Sequence, residues 1–199
     1  MTEQQPYDVV RSYDLFELRR YPEHLVAEVI VGGPFKDAGN RAFRYLFAYI
    51  SGENASREKV AMTAPVIQED SSSSIAMTAP VLQQQAEERS GDGAEGSFVV
   101  AFVLPAALSI NSAPRPKNDR VQLRVVAEGL VAAIRYRGRW TEEGYVSQLA
   151  QLRSAIAAAG FSATGEPRFA RFDPPFRPSF LRRNEVMLDV DGADSPDPR

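Results

Sequence analysis

The chain has 199 residues, a formal net charge of −3, 44% hydrophobic residues and 25% charged residues. This is the composition of a soluble globular chain long enough to bury a core, and it lacks the overall basic charge expected of a nucleic-acid binder. There is no cysteine, so disulfide frameworks, thiolate metal sites and cysteine nucleophiles are excluded, and the single histidine, His24, excludes any site that needs two.

Residues 1–6 are polar and read as a loose end without the pattern of a secretory signal. Strands are expected at 14–21 and, after the turn signal Pro22, at 24–31. A helix follows over about 37–50, stopped at Gly52. Residues 59–68 and 74–83 read as a hairpin, and 84–96 as a polar surface loop. The apolar run 97–104 predicts a central strand buried on both faces. Residues 111–119 form a loop stiffened by Pro114 and Pro116. Strands at 121–126 and 130–137 are expected to pair around Glu128-Gly129. The second helix, about 142–159, has Thr141 as its cap, Glu142 and Glu143 in its first turn and Gly160 as its stop. Trp140 and Tyr145 have the spacing of a hydrophobic staple, and Tyr145, Leu149, Leu152 and Ile156 give one apolar stripe. Strands at 168–172 and 185–190 precede a Pro- and Asp-rich tail, 191–199, that reads as flexible. No apolar run approaches the ~20 residues that a membrane-spanning helix needs.

The order is strand, strand, helix, strands, stated twice. That predicts an α+β fold: a pseudo-duplicated, distorted antiparallel β-barrel or sheet with one helix from each half. No strand–helix unit carries a Gly-rich phosphate loop, which excludes a doubly wound nucleotide fold.

A short repeat stands out: Val60-Ala-Met-Thr-Ala-Pro-Val66 returns as Ile75-Ala-Met-Thr-Ala-Pro-Val81. Pro65 and Pro80 cannot donate to a ladder, so each is expected at an edge, bulge or strand end. Met62 and Met77 read as packing residues. The repeat resembles the SOUL haem-binding protein family. Phe16-Glu-Leu-Arg-Arg-Tyr21, the segment 43–54, Asp173-Pro-Pro-Phe-Arg-Pro178 and Arg182-Arg-Asn-Glu-Val186 resemble it in the same order. The likeness covers nearly the whole chain and implies a single domain over 7–190, with 1–6 and 191–199 as flexible ends. It also implies an architecture similar to gyrase-inhibitor-type effector-binding domains.

The activity implied is reversible binding of haem or a related tetrapyrrole, with no catalytic motif attached. The expected protein is cytoplasmic, a monomer or weak oligomer, with no nucleic-acid partner and no stable membrane insertion. The alternatives are a binding module for other apolar small molecules and a tetrapyrrole-modifying enzyme. On a wheel at 100° per residue the first helix carries an apolar arc wider than packing on one sheet requires. Phe43 and Phe47 are therefore candidates for a face that meets a flat ligand, with Phe172 and Phe176 as an opposite wall. Arg44, with its neighbour Arg41, and Arg177 are candidate partners for propionates. His24 is the candidate axial ligand to haem iron. Some relatives have a histidine right after the first Arg of the 16–21 motif; Arg20 stands there in this chain. Arg183-Asn184-Glu185 is expected to form a charge-paired entry to the last strand, and Arg135, Arg137 and Arg139 a solvated face.

Overall fold

The structure is a computed structural model that describes residues 3–55, 74–86, 97–173 and 177–191. In chain order it contains β1 (Glu3–Gln4), β2 (Asp8–Ser12), β3 (Glu17–Tyr21), β4 (His24–Gly32) and α1 (Phe35–Ile50). Then come β5 (Asn54–Ala55), β6 (Thr78–Ala79), β7 (Val81–Gln85), β8 (Ser97–Val103), β9 (Arg115–Pro116) and β10 (Gln122–Val126). The chain continues through β11 (Gly129–Arg137), α2 (Glu142–Ala158), β12 (Ser162–Arg171), a 3-10 turn (Ser179–Leu181) and β13 (Arg183–Asp191).

Nine of these strands form one antiparallel sheet in the order β10-β4-β8-β7-β12-β13-β11-β3-β2. Eight of the nine strands are arranged symmetrically about the β7–β12 contact, with β2 added at one edge. Outward from that contact, one half supplies β7, β8 and β4, and the other supplies β12, β13 and β11. The next strand on each side comes from the opposite half: β10 lies beside β4, and β3 beside β11. The duplicated α+β architecture expected from the sequence is therefore present, with its first strands exchanged.

That exchange corrects two expected neighbours. Residues 121–126 and 130–137 do not pair with each other; β10 pairs with β4, and β11 with β3 and β13. Nor do the strands flanking Pro22 form a hairpin, since β3 pairs with β2 and β11 while β4 pairs with β10 and β8. A turn residue signals that the chain bends, but not which strand receives it. The loose end also needs correcting: β1 pairs in parallel with β6, and Gln5 is buried. β2 was not expected, because every residue in it is exposed and it has no apolar alternation. Residues 59–68, the first arm of the expected hairpin, lie wholly outside the described residues and with them the first copy of the repeat, 60–66, and Met62; so do Phe176 and residues 192–199. Pro80 stands between β6 and β7, at a strand end as expected.

Both helices cover the same sheet face. Ala38, Ala42, Leu46 and Tyr49 of α1 pack on Leu25, Ala27 and Val29 of β4 and Val100 and Phe102 of β8. Leu152 and Ile156 of α2 pack on Leu18, Ala132, Ile134, Val186 and Leu188. The opposite face has its own cluster around Tyr21, Val26, Leu82, Val131, Ala170 and Met187. Thr141 caps α2 as expected, accepting from the Gly144 N–H at 3.1 Å. The expected loop 111–119 is pinned to the end of α1: β9 pairs with β5, and the Tyr49 hydroxyl donates to the Pro114 carbonyl at 2.9 Å. No helix among the described residues is long and apolar enough to cross a membrane.

Candidate functional site

The helix-covered face carries the aromatic feature expected of α1. Phe43 and Phe47 are 40% and 46% exposed and stack at 5.4 Å with their planes 13° apart. Phe43 meets buried Phe102 edge-on at 5.6 Å, so the pair is backed by the core. An exposed apolar pair fixed by packing is a surface ready to be covered. Arg44 does not join it. Its guanidinium donates to the Tyr45 hydroxyl at 2.7 Å and lies over that ring, on the opposite flank of the helix at 100° per residue. Arg41 is also engaged, donating to the Gly32 carbonyl at 3.0 Å.

One turn before Phe43, on the same flank, is Gly39. A Cβ there would lie 2.5 Å from Nη1 of Arg171, so only glycine lets α1 approach this side chain so closely. Arg171 projects from β12 toward the helices, between α1 and the start of α2. It is 8% exposed, lies over Phe169 and Trp140 at 5.1 Å, and donates to Gln83 Oε1 at 2.7 Å. Gln83 in turn donates to the Phe35 carbonyl at 3.0 Å. Arg171 forms no ion pair among the described residues, and burial pulls its pKa down to about 10. Trp140 is held between Arg171 and Arg182, the latter at 4.5 Å. Tyr145, the expected staple partner of Trp140, stacks on Phe35 at 5.3 Å and tilts against Phe169.

His24 and Phe172 are on the other face. Strand alternation turns Leu25, Ala27 and Val29 toward α1 and His24, Val26 and Glu28 away from it. His24 donates from Nδ1 to the Pro22 carbonyl at 2.9 Å, and burial lowers its pKa. It lines a groove of about 450 Å³ with Ile30, Val99, Arg124 and Arg168. Phe172 lines a neighbouring recess of about 300 Å³ with Tyr7, Tyr21, Arg135 and Glu185. The sheet thus separates His24 and Phe172 from Phe43 and Phe47, and these four do not form one pocket.

At the recess base Arg19 holds Glu185 bidentately, at 2.7 and 2.9 Å, and Arg135 adds a bond at 2.9 Å. Arg19 and Glu185 are each 1% exposed. Burial opposes the charge of Arg19, but the Glu185 bonds outweigh it and hold the guanidinium above its usual pKa. Tyr21, beside this pair, is pushed up to about 12 by burial. Arg135 therefore does more than share a solvated face. Arg177 donates to Asp173, as does Arg183 through its backbone N–H at 2.6 Å and its side chain. With Glu185 on Arg19, these contacts make the charge-paired entry to β13 that the Arg183-Asn184-Glu185 motif led us to expect. No cluster of three His, Asp or Glu able to hold a metal occurs among the described residues.

The sequence reading missed Arg171, Trp140 and the Arg19–Glu185 pair. Parity offered a signal: Phe169 faces the core, so Arg171 two residues on faces it too.

The described residues thus form a pseudo-duplicated α+β sheet that bears two helices on one face and an exposed aromatic pair on α1. A model of the SOUL heme-binding protein family matches residues 2–189. The chain belongs to that family. It is similar to heme-binding protein 1 of Sus scrofa, with 25% identity over 155 residues, 78% of this chain and 72% of that protein. Its fold is similar to the C-terminal domain of EcmrR, with a TM-score of 0.60 at 11% identity, covering 93% of this chain and 98% of that one. It also resembles a structure described as a hydrolase from Listeria innocua, with a TM-score of 0.53 at 16% identity, covering 87% and 91% of the two chains. At these identities the structural likenesses establish the fold alone.

Proposed function

We propose that this protein binds haem or a related tetrapyrrole reversibly against the Phe43–Phe47 flank of α1, for buffering or delivery in the cytoplasm and without chemical change. The observation that supports this reading is the stacked, 40–46% exposed phenylalanine pair backed by Phe102, in a chain of a haem-binding family. Covering about 500 Å² of apolar surface contributes on the order of 12 kcal/mol; association costs of about 4 kcal/mol leave roughly micromolar affinity. Binding on this flank needs no iron bond. His24 lies across the sheet, so this reading gives it no axial role.

The competing reading places another small molecule in the groove of the opposite face. A cationic guest is disfavoured there, because Glu28 and Asp189, two of the acids that line the groove, already hold Arg124 and Arg168.

Titration of the apo-protein with haemin and with metal-free protoporphyrin, followed at the Soret band, tests the proposal. Both are expected to saturate at one-to-one with similar affinity. Phe43→Ala with Phe47→Ala is expected to weaken both by about tenfold or more while the fold is retained, since neither ring is fully buried. Unchanged affinity in the folded double variant would remove this flank from the site, and no saturable binding of either porphyrin would end the tetrapyrrole reading.

A further inference from the structure

Arg171, Asn184 and Tyr136 occupy directly opposed positions on three adjacent strands, so their side chains form a row on the helix-covered face. The register pairs Arg171 with Asn184, and Asn184 with Tyr136. Such cross-strand neighbours have Cβ atoms about 5 Å apart. Trp140 closes the row from above, with its ring on the Arg171 guanidinium. Four buried polar atoms here have no hydrogen-bond partner among the described residues: Arg171 Nε, Trp140 Nε1, Tyr136 Oη and Asn184 Oδ1. Three can donate. Among the described residues the guanidinium makes one hydrogen bond, to Gln83, and faces no carboxylate. Buried polar groups are almost always satisfied, and a buried cation is ordinarily paired. Unspent donors gathered around an unpaired positive charge describe the complement of an anionic oxygen group. Asn184 Oδ1 completes the set as an acceptor for a hydroxyl or a water.

We propose that Arg171, with the Trp140 and Tyr136 donors, is the receptor for a carboxylate of the ligand, on the same helix-covered face as the Phe43–Phe47 pair. This rests on the tetrapyrrole reading for the ligand, though not for the anion chemistry. Gly39 supplies the connection: it touches Arg171 and stands one turn from Phe43, so a flat ring on the phenylalanines reaches the guanidinium with a short acidic arm. Arg44, Arg41 and Arg177, the cations suggested by sequence, already have partners. Arg171 is the one whose geometry calls for a bidentate oxygen acid.

The experiment compares haemin with its dimethyl ester, which keeps the ring and removes the anionic charge, in wild type and in Arg171→Met. Wild type is expected to prefer the free acid by about tenfold or more, and Arg171→Met to bind both forms alike. Gly39→Ala, whose Cβ displaces the guanidinium, is the second variant and is expected to lose the preference too. A second arm uses Trp140, the only tryptophan of the chain, as reporter. Propionate alone is expected to change its emission saturably in wild type and not in Arg171→Met. Equal affinity for acid and ester in wild type, or a preference that survives in both folded variants, overturns the proposal and leaves porphyrin binding standing. If wild type binds neither porphyrin, the tetrapyrrole reading fails, and the propionate arm decides the anion receptor: a saturable, Arg171-dependent signal upholds it, and its absence overturns it.

Discussion

Two buried arginines of this chain differ in one respect, and that difference separates a structural role from a binding one. Arg19 is matched by Glu185 on two bonds and by Glu17 on a third at 2.8 Å. Arg171 has a glutamine amide. Breaking a buried pair strands a charge and costs about 3–5 kcal/mol, whereas replacing an unpaired buried cation by an apolar side chain removes a desolvation cost. Arg19→Met is therefore expected to lose about 3–5 kcal/mol in a urea titration, since Glu185 keeps only the half-exposed Arg135. Arg171→Met is expected to be neutral or stabilising in the same titration. A large loss at Arg171 would show that its charge serves the fold. An unpaired cation kept at a stability cost is the pattern of a functional group. The pH effects of the two sites also differ: Arg171 is the arginine whose pKa burial lowers, and Arg19 is the one whose partner raises it.

At the scale of elements, legibility follows the range of the signal. Both helices were readable because their signals are local. The expected 37–50 and 142–159 became Phe35–Ile50 and Glu142–Ala158, and the Thr141 cap is made as its position required. Thr141→Ala is expected to cost about 1 kcal/mol, seen as a lower melting temperature with haemin affinity kept, since the cap satisfies a helix end and touches no part of the aromatic flank. A loss of binding without a loss of stability would place the α2 start, and Trp140 beside it, under different control. Strand existence was mostly readable as well: the run 97–104 is β8, flanked on both sides in the sheet. Strand partners were not. Nothing near Pro22 or Gly129 says that β3 crosses to β11 and β10 to β4, because that choice is made by two halves closing on each other. The candidate site divides the same way. The Phe43–Phe47 pair came from one helix wheel, while the separation of His24 and Phe172 from it depends on which face of a nine-stranded sheet each strand offers. Arg171 needed both kinds of knowledge, its own parity and the arrival of Gly39 from another element.

The whole molecule is a sheet with two faces that differ in cover. One face carries the helices and the aromatic flank. The other carries the grooves, and the N-terminal segment crosses it. β1 pairs with β6, the Gln5 N–H donates to the Ala79 carbonyl at 2.9 Å, and Tyr7 lies under the Arg19 guanidinium at 4.4 Å and against Tyr21 at 5.2 Å. Gln5 stands between two recesses, lining one with His24 and Leu82 and the other with Tyr21 and Glu185. The segment is thus a strap across the face opposite the proposed porphyrin site. Removing residues 1–6 opens the apolar surface around Tyr21 and Leu82 to solvent without touching α1. The truncated chain is expected to bind an apolar fluorescent dye more strongly and to lose some stability, with its haemin affinity within about twofold of the full chain, because the two faces share no lining residue. Haemin affinity that collapses with the strap, in a chain still folded by circular dichroism, would move the porphyrin to the strapped face and bring His24 within reach of its iron.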